Sequence, residues 1–115
     1  SNITSFMQSS LYTDNYIYII DPELYESYKD SGVFVPLSDY CGNIPEEMLN
    51  DELSIKLGKT AFYSKAGISS LPSDMLIVLK TVPYFSSSRK TAAATEMQSV
   101  HAEIIRNIVN LGLCE

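Results

Sequence analysis

Apolar residues recur along this chain in two periods, near two and near three and a half, and the switches between them mark its elements. Ile3, Phe6, Met7 and Leu11 keep helical spacing, which predicts a short amphipathic helix in the first dozen residues. Tyr16 to Ile20 is β-branched and aromatic throughout, a strand pattern with Tyr16 and Tyr18 on one face and Ile17 and Ile19 on the other. Asp21-Pro22 closes that strand and opens a helix, with Asp21 as N-cap and Pro22 where a missing N–H costs nothing. Leu24, Tyr25 and Tyr28 then share the inner face, and Gly32 supplies a left-handed stop. Val33-Phe34-Val35, closed by Pro36, reads as a second short strand.

Asp39 to Asn43 has turn chemistry, and Pro45 to Leu49 reads as one or two helical turns with acids at the positive end of the dipole. Leu53, Ile55 and Leu57 alternate with Ser54, Lys56 and Gly58, the mark of a half-buried strand. A bend at Gly58-Lys59 would return the chain beside it through Thr60 to Tyr63. Met75 to Leu79 is apolar on both faces and is expected to be central in the sheet. After a serine lead-in at Ser86 to Ser88, Ala93, Met97, Val100, Ile104, Ile108 and Leu111 form a helical stripe widened by Ile105, and Gly112 provides the C′ residue.

The expected class is therefore α+β: a mixed or antiparallel sheet of about four to five short strands, packed by the long C-terminal amphipathic helix and by shorter helices. Residues 1–115 fall within the size of a single globular domain, which at this length buries roughly two thirds of its unfolded surface. Apolar runs fall far short of the roughly twenty residues of a membrane span. No basic flank with an apolar core marks a signal peptide, and two cysteines far apart suit a reducing compartment, so a cytoplasmic location is expected.

Charge changes the picture more than composition does. Ten of the fourteen acidic residues fall between Asp14 and Glu52, a stretch whose only base is Lys29. Four acids and seven bases make up the remainder. Six of the eight tyrosines lie in or beside the acidic stretch. An acidic field of this kind steers a basic partner inward and repels nucleic acid and anionic lipid. The expected partner-binding acids are Asp14, Glu23, Glu26, Asp30, Asp39, Glu46, Glu47, Asp51 and Glu52, gathered on one outer wall. Tyr12 and Tyr40, in polar loop contexts, are the expected aromatic anchors.

Catalytic chemistry is thinly represented. Gly58-Lys59-Thr60 lacks the glycine five residues before the Gly-Lys pair that a phosphate loop needs; Leu53 stands there. His101, the only histidine, and Glu103 point roughly 200° apart on a helix and cannot chelate one ion, so no metal and no cofactor is expected. Cys41 and His101 are candidates for a small enzyme or ligand-binding site, but the acids near Cys41 would raise its thiol pKa and blunt a nucleophile. Glu46-Glu47 and Asp51-Glu52 are adjacent pairs, whereas general acid–base work needs carboxyl groups facing one another across a cleft. Lys80, Arg89, Lys90 and Arg106, with Tyr84 and Phe85 for stacking, are too scattered for a nucleic-acid footprint.

In size, charge layout and missing chemistry the chain is similar to bacterial immunity proteins and antitoxins that occlude basic nuclease toxins. That similarity carries no motif. It implies an acidic binding protein without catalytic residues. A small enzyme using Cys41 or His101, and a structural or regulatory subunit docking through an exposed Met97–Val100–Ile104–Ile108 stripe, are the alternatives.

Overall fold

The computed structural model describes residues 15–114. The helix expected in the first dozen residues, Tyr12 and Asp14 lie outside them. A four-stranded antiparallel sheet in the order β1-β4-β3-β2 forms the frame, with helices on both faces, so the α+β class holds. Its strands are β1 (Ile17–Ile20), β2 (Leu49–Asp51), β3 (Ser54–Lys56) and β4 (Leu76–Leu79). The helices are α1 (Pro22–Tyr28), α2 (Ser38–Cys41), α3 (Ala61–Lys65) and α4 (Ser88–Asn110).

β4 is central, as its two-sided apolarity requires: all four of its residues are buried. Leu76 and Val78 join Ile20, Tyr25, Tyr28, Val33 and Phe34 under α1, while Ile77 and Leu79 join Ile55, Ala102 and Ile105 under α4. Each such side chain contributes about 1.5–3 kcal/mol by leaving water. Tyr16 departs from the strand alternation. The strand starts only at Ile17, and Tyr16 packs in the α4-side cluster while Tyr18 borders the other.

Local chemistry sets the helix ends. Asp21 Oδ1 accepts the Leu24 N–H at 2.7 Å with Pro22 in the first turn, and α1 buries Tyr25 and Tyr28 as the spacing predicts. α1 ends at Lys29, and the left-handed residue comes later, at Gly32 in the following turn. Ser87 caps α4 by accepting the Lys90 N–H, and Gly112 takes up a φ of 96° just after the Leu111 C-cap. The tail then turns back: the Ala61 N–H bonds the Gly112 carbonyl, and Cys114 N–H bonds Lys59.

Four expectations are corrected. Val33 to Val35 forms only a bridge, Phe34 to Lys80, because the β3 flank of β4 is already taken up to Ser54. Asp39 to Asn43 is not all turn, since Ser38–Cys41 closes a helical turn before Gly42. Thr60 to Tyr63 does not return as a strand. Both sides of β3 are occupied, by β2 and β4, and Leu57–Lys59 curls into a 3₁₀ turn that lets Thr60 Oγ1 cap the Tyr63 N–H of α3. Finally, the stripe on α4 is rotated. The face on the sheet is Gln98, Ala102, Ile105, Ile108 and Val109, whereas Met97, Val100 and Ile104 are 39%, 51% and 42% exposed. The apolar arc of α4 is simply wider than the sheet beneath it.

Candidate partner-binding surface

The β2–β3 turn is built around one carboxylate. Asp51 Oδ1 accepts the Leu53 N–H at 2.9 Å and the Ser54 hydroxyl at 2.8 Å, while Oδ2 accepts the Tyr25 hydroxyl at 2.5 Å. Asn50 Nδ2 in turn donates to Ser54 Oγ at 3.0 Å. Tyr25 is fully buried with its ring parallel to Phe34, so the hydroxyl is aimed by the α1 core and fastens α1 to β2. Burial alone would raise the Asp51 pKa, but the bonds from Tyr25, Leu53 and Ser54 and the nearby Lys29 charge outweigh it and lower it. Burial, then the bond to Asp51, raises the Tyr25 pKa well above the usual phenol range.

Around this node lies an open cleft of ≈ 470 Å³ lined by Tyr25, Lys29, Asp30, Asp51, Glu52 and Leu53. Glu26 borders it through a 2.9 Å ion pair with Lys29, whose pKa that bond raises. The Leu37 N–H donates to the Glu52 carbonyl at 2.9 Å and so brings the start of α2, with exposed Asp39 and Tyr40, beside the same turn. One end of the sheet thus collects Glu26, Asp30, Asp51 and Glu52 around Lys29, and exposed Asp39 sits on the adjoining α2, whose C-cap Gly42 lies near the Arg106 guanidinium.

The remaining expected acids go elsewhere. Glu23 is in the first turn of α1 and Glu46 and Glu47 in a 3₁₀ turn before β2, all at the opposite end of the strands. There the cleft of ≈ 450 Å³ lined by Pro22, Asn50, Lys56, Lys59, Ser73 and Asp74 carries both signs of charge. The expected outer wall is therefore two groups, one concentrated and one mixed. Asp51 adds charge to the first, but its oxygens are committed inward. The ion pairs Lys29–Glu26 and Arg106–Glu103 are both local, each joining residues three apart on one helix.

Comparison with protein-family models, with curated proteins and with solved structures found no match to this chain.

Cys41 and His101 both have structural work. Cys41 is 2% exposed, and burial, with help from Glu103 and against Arg106, pushes its thiol up to about 11. A thiol so protonated at neutral pH is a poor nucleophile. His101 Nδ1 accepts the Tyr16 N–H at 2.9 Å and its ring packs near that of Tyr16. Neither lines the clefts above. Both cysteines are free thiols. Among the described residues no three His, Cys, Asp or Glu side chains form a metal-holding group, and no helix is long and apolar enough to cross a membrane.

The Tyr25–Asp51–Ser54 node has only a weak signal in the sequence: an Asp side chain commonly accepts the backbone N–H two residues on, as Asp51 does from Leu53. Lys80, one of the four scattered bases of the sequence, is not on the surface. It is 1% exposed, with its ammonium 4.6 Å from the centre of the Tyr16 ring and its carbonyl accepting from buried Gln98 Nε2 at 2.9 Å. It belongs to the core, not to a phosphate-binding surface.

Proposed function

We propose that this chain is a protein-binding inhibitor that docks a basic partner on the acidic end of its sheet. The finer form of the reading is an immunity protein or antitoxin, acting in the cytoplasm, that covers the lysine- and arginine-rich cleft of a nuclease-type toxin. The observation that carries it is the grouping of Glu26, Asp30, Asp51 and Glu52 around Lys29, with exposed Asp39 and Tyr40 on the adjoining α2. Opposite fields accelerate encounter and exclude wrong partners, and an aromatic side chain at the rim supplies apolar area once water leaves. The hydrogen-bonded node beneath holds the charges on a rigid base, so little ordering cost falls on binding. A basic partner isolated by affinity capture gives the test. Glu26→Lys, Asp30→Lys and Glu52→Lys together should slow its association by about tenfold or more and flatten the salt dependence. Glu46→Lys with Glu47→Lys should change both much less. Association indifferent to ionic strength, or equal losses in the two variants, would reject the acidic end as the docking surface.

A second reading, a structural or regulatory subunit, draws on the exposure of Met97, Val100 and Ile104. The small-enzyme alternative gains nothing from the surroundings of Cys41 and His101.

A further inference from the structure

The mixed-charge cleft of ≈ 450 Å³ falls within the size of small-molecule sites, about 300–1,000 Å³. Separate stretches of chain converge on it: Asn50 of β2, Lys56 and Lys59 after β3, and Ser73, Asp74 and Leu76 on the way into β4. Backbone bonds hold two of these walls together. The Leu57 N–H donates to the Met75 carbonyl at 2.9 Å, and the Gly58 N–H to the Ser73 carbonyl at 3.0 Å. A Cβ on Gly58 would stand 2.6 Å from that oxygen, so this close approach needs glycine.

Lys56 ends β3, and Lys59 ends the 3₁₀ turn Leu57–Lys59. Side chains three apart about such a turn project to the same side, and both lysines line the one cleft. Among the described residues neither forms an ion pair, not even with Asp74 in the same cleft. Two like charges so placed repel, and an anion between them is attracted by both. Beside them stand groups suited to hydroxyls: the Asp74 carboxylate, the Ser73 hydroxyl and the Asn50 amide, whose Nδ2 is anchored on Ser54 Oγ at 3.0 Å. No aromatic side chain is among the described residues of this lining, so a nucleobase would find no stacking surface.

We propose that the cleft binds a small phosphorylated polyol, of the sugar phosphate class, with its phosphate on Lys56 and Lys59 and its hydroxyls on Asp74, Ser73 and Asn50. The two ammoniums give the phosphate charge-assisted hydrogen bonds, the strong kind. Asp74 accepts from hydroxyls and repels a second anionic group, which selects a monophosphate over a bisphosphate. This site is separate from the acidic end, and the two stand or fall independently.

Titration of the full chain with glucose 6-phosphate, followed through its amide nitrogen–proton spectrum, tests this. The Gly58, Lys59 and Ser73 signals should shift saturably at millimolar ester, while Leu53, in the acidic cleft, stays in place. Lys56→Gln with Lys59→Gln should weaken binding by about tenfold or more. Lys65→Gln with Lys90→Gln makes the same change in net charge on exposed residues outside the cleft and should leave affinity unchanged. Asp74→Ala should narrow the preference for the ester over inorganic phosphate. The absence of a saturable shift, or equal losses from the two lysine pairs, would overturn the proposal. So would equal affinity of the native protein for inorganic phosphate and for the ester, which would leave charge as the only thing recognised.

Discussion

Removing one oxygen, with Tyr25→Phe, isolates the bond that fastens α1 to the β2–β3 turn. The ring is fully buried and parallel to Phe34, 5.9 Å between centroids, so phenylalanine fills the same space. What disappears is one of three hydrogen bonds to an ionised carboxylate, each worth about 1.5–3 kcal/mol when the acceptor is charged. Asp51 is partly open to solvent and water replaces some of the loss, so the low end applies, about 1.5 kcal/mol at neutral pH. With a urea dependence of about 1–3 kcal/mol per molar, the unfolding midpoint should fall by about 0.5–1.5 M.

The pH dependence is the sharper signature. The folded-state pKa of Asp51 is lowered, so its contribution is present above the unfolded value of about 3.9 and fades as pH falls through the folded value. The folded-state pKa of Tyr25 is raised, so its contribution is present below the unfolded value of about 10 and fades as pH rises beyond it. The stability gap between the native protein and Tyr25→Phe should hence form a plateau between about pH 4 and pH 10 and narrow at both ends. Urea unfolding followed by circular dichroism across that range measures it. A gap of constant size at every pH, or none at neutral pH, would refute the reasoning.

Other substitutions probe the remaining inferences. Cys114 should react with a thiol reagent at neutral pH while Cys41 reacts only on unfolding, so native and denatured protein should take up different label counts by mass spectrometry. Gly58→Ala would place a Cβ 2.6 Å from the Ser73 carbonyl oxygen, a backbone atom held by the Gly58 N–H, and should cost about 1–3 kcal/mol in thermal or urea unfolding. Gly112→Ala meets nothing within 4 Å and bears only the positive φ, so its loss in the same assay should be smaller, about 1 kcal/mol. Ile77→Ala, at a fully buried position of the central strand, should destabilise by about 2–5 kcal/mol.

Local rules carried much of the architecture. Asp21-Pro22, the two-sided apolarity of Met75 to Leu79 and the Gly112 stop all describe chemistry within a few neighbouring residues, and the fold respects each. The misreadings share a different cause. Whether Thr60 to Tyr63 forms a strand depends on whether β3 has a free side, and Leu49 to Asp51, which takes that side, has no strand pattern of its own. The face of α4 that meets the sheet depends on how wide that sheet is, and helical periodicity is silent on width. The charge surface was half legible: a run of acids in sequence became two groups because α1 spans the sheet from one end to the other. Lys80 in the core was illegible, since its place is decided by Tyr16 and Gln98, both far away along the chain.

The strand order has a consequence for how the polypeptide gets made. β1 is synthesised first among the strands, yet its pairing partner is β4, whose Leu79 lies opposite Ile17. Until that late strand leaves the ribosome, Ile17 to Ile20 must wait without its ladder, while β2 and β3 can already close their local hairpin. Closing so large a loop is slow compared with forming a hairpin. Nascent chains stalled before Leu76 should therefore be the ones that need a chaperone, and those released with β4 and α4 complete should not.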